Sequence, residues 1–161
     1  MTTVNAGIIE QAILARLQAQ IIGVEVEAFP DEPENYQLKH GAGAVLVRYT
    51  GSRFDRHEPT DVVIQDQTVT IELAVLMRSL RRHDAGILPM LDAVRAALTG
   101  YRIPGASTLT PTKEEFVSYD QGVWRYDVTM ECTTVHHEVP RERGLIEFVE
   151  GVGYAEDQPA L

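Results

Sequence analysis

RRHDAGILPMLDAVRAALTG, residues 81–100, and GVWRYDVTMEC, residues 122–132, decide how this chain folds. In the first, Ile87, Leu91, Val94 and Leu98 recur at i, i+4, i+7 and i+11, one stripe of a 3.6-residue helix. Asp84 is placed to cap that helix, and Gly100 to close it. Pro89 is tolerable only in the first turn, where backbone N–H groups have no intrahelical partner. In the second stretch Trp124, Tyr126, Val128, Met130 and Cys132 alternate with Arg125, Asp127, Thr129 and Glu131. That is a strand with one buried face, entered through a turn at Asp120, Gln121 and Gly122.

Working back toward the N-terminus, Val69, Ile71, Leu73, Val75 and Met77 alternate with Thr70, Glu72, Ala74, Leu76 and Arg78. Five matches in period two predict a half-buried antiparallel strand. Val45, Val47 and Tyr49 alternate with Leu46 and Arg48 in another. Val24 and Val26 form a short one that ends before Pro30. Ile9, Ile13, Leu17 and Ile21 make the stripe of a first helix, capped by Asn5 and stopped near Gly23. Residues 30–43, rich in Pro, Asp, Glu, Asn and Gly, read as a loop, and Leu109 to Tyr119 as a further strand. The order is α-β-β-β-α-β-β. It predicts an α+β fold, a two-layer sandwich with a mainly antiparallel sheet and both helices on one face.

The domain covers residues 1–137. From Glu138 periodicity is lost, and six acids stand against two arginines, so residues 138–161 read as an acidic C-terminal tail. With 161 residues and 44% hydrophobic composition, the chain has enough for one ordinary core. Fourteen Lys and Arg against 24 Asp and Glu give a formal charge of −10, which argues against general affinity for nucleic acid or an anionic membrane. A single cysteine, Cys132, leaves no intramolecular disulfide. No signal-peptide pattern opens the chain and no apolar run nears ~20 residues, so a soluble protein made in the cytoplasm is expected.

Chemistry-bearing groupings are few. His136, His137 and Glu138, and His83 with Asp84, are the metal-like ones, but neighbouring strand histidines point to opposite faces and a fixed site wants three or four converging ligands. Cys132 is in phase with Trp124 and Met130, the setting of a small core hydrophobe rather than an activated thiolate. Gly41-Ala42-Gly43 is too short for a phosphate loop, no serine sits in a nucleophile elbow, and Glu114 and Glu115 read as solvated surface. The expectation is a protein without catalysis and without a cofactor or metal.

Two stretches instead have the composition of contact surfaces. GSRFDRHEPTD, residues 51–61, is polar, lacks a usable period and reads as a long mobile hairpin tip. Within it Arg53, Phe54, Asp55, Arg56 and His57 place an aromatic between arginines, a pattern interfaces favour. Arg81 and Arg82, with Arg78, form a small basic cluster ahead of the second helix; strand-end solvation is the plainer reading, an interprotomer ion-pair partner the functional one.

The element order, with DAGILPMLDAVRAALTGYRIPG (residues 84–105) and GVWRYDVTMEC, resembles the tail terminator proteins of long-tailed phages, closest to the version of Mu-like phages and prophages. The resemblance spans about residues 4 to 137 and is carried by packing motifs. It implies a non-enzymatic virion protein of the phage tail, assembled in the host cytoplasm. Such proteins form a homo-hexameric ring that caps the tail tube, stops its polymerisation and offers a joining surface to a head-connector protein. DNA passes through the channel without specific binding, and an acidic wall would keep it from lodging. A head-completion or connector-stopper protein is the alternative within the virion; a small α+β enzyme or ligand-binding domain is the alternative from another class.

Overall fold

A computed structural model describes residues 4–57, 62–81 and 86–139. Helix α1 (Ala6–Gln20) leads into β1 (Glu25–Ala28), a single 3-10 turn at Pro33–Asn35, β2 (Gly43–Phe54) and β3 (Ile64–Met77). Then follow α2 (Ile87–Leu98), β4 (Thr110–Asp120) and β5 (Val123–His137). The sheet order is β1-β2-β3-β5-β4. Every pairing is antiparallel except β1 with β2, which is parallel. The predicted α+β order therefore holds, in a mixed sheet that is mostly antiparallel.

Both helices lie on one face because their apolar stripes find the same partners. Ile9, Ile13 and Leu17 of α1, and Ile87, Leu91, Val94 and Leu98 of α2, are buried with Val69, Ile71, Leu73, Val75 and Met77 of β3 and Val128 and Met130 of β5. Trp124 and Tyr126 are half-buried against this core. Each such apolar side chain contributes ~1.5–3 kcal/mol on leaving water. The helices are also tied to each other: the Arg16 guanidinium donates Nε–H to the Ala97 carbonyl at 3.1 Å and lies 4.9 Å from the Tyr101 ring centroid.

Asn5 caps α1 as expected, its side chain accepting from the Ile8 N–H at 2.9 Å. The start of α2 is made differently. Asp84, expected to cap it, lies outside the described residues, and the cap position belongs to Gly86. Here the chain's own backbone does the capping: the N–H groups of Ile87 and Leu88 donate to the carbonyls of Ser79 and Leu80 at 2.8 and 3.3 Å. A Cβ on Gly86 would come within 2.7 Å of the Leu80 carbonyl, so only glycine lets the two segments approach this closely. Pro89, third residue of the helix, occupies a position whose N–H would have no partner. The β4–β5 turn needs positive φ at both central residues, Gln121 (49°) and Gly122 (78°), the geometry a twisted two-residue hairpin demands.

The second face of the sheet is not bare. The loop joining the parallel strands β1 and β2 crosses it, and Phe29, Tyr36 and Leu38 pack on Ala44, Leu46, Ala74 and Leu76. Ala44 and Ala74 are small enough to leave room for these larger side chains. Farther along, Arg48 pairs with Glu72 and Arg125 with Asp127, and both guanidiniums lie over the Phe29 ring at 4.6 and 5.9 Å.

Residues 51–54 are not part of a hairpin tip but the end of β2, paired in register up to Phe54 opposite Gln67. A register shift between Tyr49 and Gly51 puts an extra residue in the strand and reverses its alternation. Because this stretch also runs past the core, it carries no apolar period to betray it.

Candidate assembly surface

Strands β2, β3 and β5 outrun the helices they support. Burial on the helix face ends near Val69, Cys132 and Thr134, whose hydroxyl donates to the Gly105 carbonyl at 3.0 Å. Past that line lies a three-stranded arm, with Phe54 48% exposed on the helix face and Ile64 and Val135 59% and 47% exposed on the opposite face. The arm is well hydrogen-bonded: the Asp55 N–H donates to the Asp66 carbonyl at 2.9 Å, and the Gln65 amide to the Asp55 carbonyl at 2.8 Å.

Arg53 and Phe54 therefore stand on a strand, opposite Thr68 and Gln67. Phe54 meets the ring of His136 edge-on at 5.4 Å, so it is held in place rather than free in a mobile tip. Asp55 and Arg56 are exposed and His57 is half-buried just beyond the strand. Neither Arg53 nor Arg56 makes an ion pair with a described residue. Arg81 is exposed at the other end of β3, and Arg82 lies outside the described residues. Gln67 and Met77 are ten residues apart on β3, about 33 Å at ~3.3 Å per residue. Arg81 and the Phe54 group thus belong to opposite ends of the sheet. Arg78, the third member of the basic cluster, holds the β1–β2 loop through the carbonyls of Leu38 and His40 at 3.0 and 3.3 Å.

Sequence reading passed over a second apolar surface, at the β4 edge. Nearly every β4 residue is exposed, among them Phe116 (52%), Val117 (42%) and Tyr119 (57%). Phe116 lies beside Trp124 and Tyr126, with ring centroids 6.1 and 5.5 Å away, and Tyr119 lies 4.5 Å from Trp124. The signal was available in the hairpin register, which sets Phe116 opposite Tyr126 and Tyr119 opposite Trp124. Glu114 and Glu115 have partners on this strand: Glu114 accepts from Arg95 of α2 at 2.9 Å, and Glu115 from Lys113 at 2.9 Å.

Cys132 is buried, and desolvation pushes its thiol up to about 11. Burial, with the neighbouring Glu25 carboxylate, raises Glu27. Among the described residues no three His, Cys, Asp or Glu side chains gather as a metal site would require; His83 lies outside those residues. An open cleft of about 450 Å³ runs between the β1–β2 loop and the β4–β5 turn, lined by Tyr36, Leu38, Arg78, Asp120 and Arg125. The Tyr36 hydroxyl is buried beside it without a hydrogen-bond partner among the described residues. No described helix is long and apolar enough to cross a membrane.

No curated protein matches the chain. The Gp37 protein family does, over residues 13–148, a span that takes in α2, both hairpins and the first part of the acidic C-terminal segment. With so much of its length matched, the chain belongs to the Gp37 protein family, a family of phage proteins.

Proposed function

We propose that this phage protein is a tail terminator: a structural, non-enzymatic subunit whose ring caps the tail tube, halts its growth and offers the head-connector protein a joining surface. The observation that carries the reading is the arm. Three strands extend past the core with Phe54, Ile64 and Val135 exposed, and among the described residues neither Arg53 nor Arg56 has an ion-pair partner. A lone protomer gains nothing from holding apolar side chains exposed on a projection. A neighbour that covers them recovers the burial and pairs the charge, and such a contact, repeated by rotation, closes a ring.

Other features agree with this role. The chain is acidic overall, so a channel lined by it would repel a passing DNA backbone. The well-formed polar interactions of the second face, Arg48–Glu72 and Arg125–Asp127, hold structure together and present no acid, base and orienter around a common point. The partners of this reading are other copies of the chain, six in the ring, together with the tail tube protein and the head-connector protein.

The test is to polymerise tail tube protein with and without the chain and measure tube length by electron microscopy. Tubes of limited length that carry a ring at one end support the reading. Tubes unchanged in length, with the chain found instead at the portal end of the head, would favour a head-completion role.

A further inference from the structure

We propose that residues 144–149 of one copy dock as an added strand on the β4 edge of a second copy. The acceptor is an edge strand of eleven residues, hydrogen-bonded to β5 on one side with bulges at Thr112 and Val117, unpaired on the other among the described residues, and with Phe116, Val117 and Tyr119 exposed along it. Edges of this length and apolarity are templates for another strand. The donor is GLIEFV, in which Ile146 and Phe148 share one strand face and Leu145 and Val149 the other. It is the one apolar stretch in an otherwise acidic C-terminal segment. The family match runs through residue 148, so most of this stretch belongs to the family's common unit.

The geometry favours a second copy over the same one. In the β4–β5 register Thr110 stands opposite Glu131, so His137 ends β5 six residues beyond the start of β4. Reaching the free side of β4 means covering about 20 Å along the sheet and ~10 Å across it. The seven residues between His137 and Leu145 span at most ~25 Å when fully extended. The straight path is closed by the turn that precedes β4, where Ser107 and Thr133 exchange hydrogen bonds at 2.8 Å in both directions. A taut detour of this kind is poor; donation to a neighbour has no such limit. The other edge is a weaker acceptor, since β1 has only four residues.

This inference rests on the assembly reading above, but it is tested apart from tube capping. Three full-length chains are compared by light scattering and by hydrogen exchange over residues 110–120: the unaltered chain, an Ile146→Asp/Phe148→Asp donor variant, and a Val117→Lys acceptor variant. The unaltered chain is expected to assemble and to protect β4 throughout. Either variant should fall in mass, with about half of the β4 amides exchanging at least tenfold faster. An equimolar mixture of the two variants should form pairs, since together they hold one intact donor and one intact acceptor. Protection of β4 that survives the donor substitutions overturns the proposal. Protection lost without any change of mass places the segment on its own copy, which also overturns it. Tubes left uncapped by chains that still assemble would count against the terminator reading alone.

Discussion

Phe54 near the end of β2 and His136 near the end of β5 touch edge to face across β3, with ring centroids 5.4 Å apart and planes inclined at 71°. The contact joins the two outer strands of the arm where no helix covers them. It fixes the direction of a phenyl ring that is still 48% exposed, so Phe54 is presented to a partner already oriented. Little entropy is then lost when a partner binds.

Replacing Phe54 and Arg56 together by alanine removes that presentation. The lost ring contact costs ~0.5–1.5 kcal/mol, a fall in melting temperature of about 2–6 °C for a domain of this size. Ring formation or tube capping should drop far more. His136→Ala supplies the control, since it loses the same contact and keeps the exposed phenyl. Calorimetry and tube-length measurements on both variants decide: if the two cap equally well, Phe54 is not a docking residue.

The arm also shows where sequence reading reached its limit. Alternation located β3 and β5 correctly because one face of each meets the helices and the other carries mostly polar or small side chains. That contrast vanishes past Val69, and the register shift near Gly51 inverts what little remains, so residues 51–54 resembled loop. The cover over the second face was hidden for a related reason: Phe29, Tyr36 and Leu38 are spread through a Pro- and Glu-rich segment with no period. Helix stripes survived because every fourth or third residue met the same core. The β4 edge surface would have followed from folding the hairpin about Gln121 and Gly122 and reading across it.

Core packing makes a quantitative claim on α2. Leu91 is 2% exposed and lies among buried side chains of both layers, so Leu91→Ala should cost ~2–5 kcal/mol through lost burial and the cavity left behind. Ile22, 87% exposed just past α1, should give less than ~0.5 kcal/mol on the same change. Urea unfolding of the two variants gives the comparison, and similar midpoints would mean that α2 is wrongly phased.

Arg48 and Glu72 face each other across β2 and β3, with Nε and Nη2 reaching the same carboxylate oxygen at 2.9 and 2.5 Å. The pair is partly exposed, so its coupling should be that of a good cross-strand pair, ~0.5–1 kcal/mol in a double-mutant cycle with Arg48→Ala and Glu72→Ala. Salt should reduce it. Arg48→Ala alone should cost more than the coupling, because it also uncovers the Phe29 ring. A cycle that closes with zero coupling at low salt would show the two side chains acting independently.

Tyr36 predicts a pH response with a definite sign. Its hydroxyl is buried without a partner among the described residues, and its pKa is pushed up to about 12, first by burial and then by the Glu27 and Glu25 carboxylates. An unfolded tyrosine ionises near ~10. Between these values the unfolded chain gives up a proton that the folded chain keeps, so the Tyr36 contribution to stability is constant below about pH 10 and falls as pH rises toward 12. Tyr36→Phe removes both the titrating group and an unsatisfied polar atom. At neutral pH the variant should be as stable as the parent or up to ~1 kcal/mol more so. Above about pH 10 the gap should widen in the variant's favour. Urea unfolding of the two chains at matched pH values reads that gap directly, and stability curves that stay parallel up to about pH 11.5 would show that the phenol titrates alike in both states.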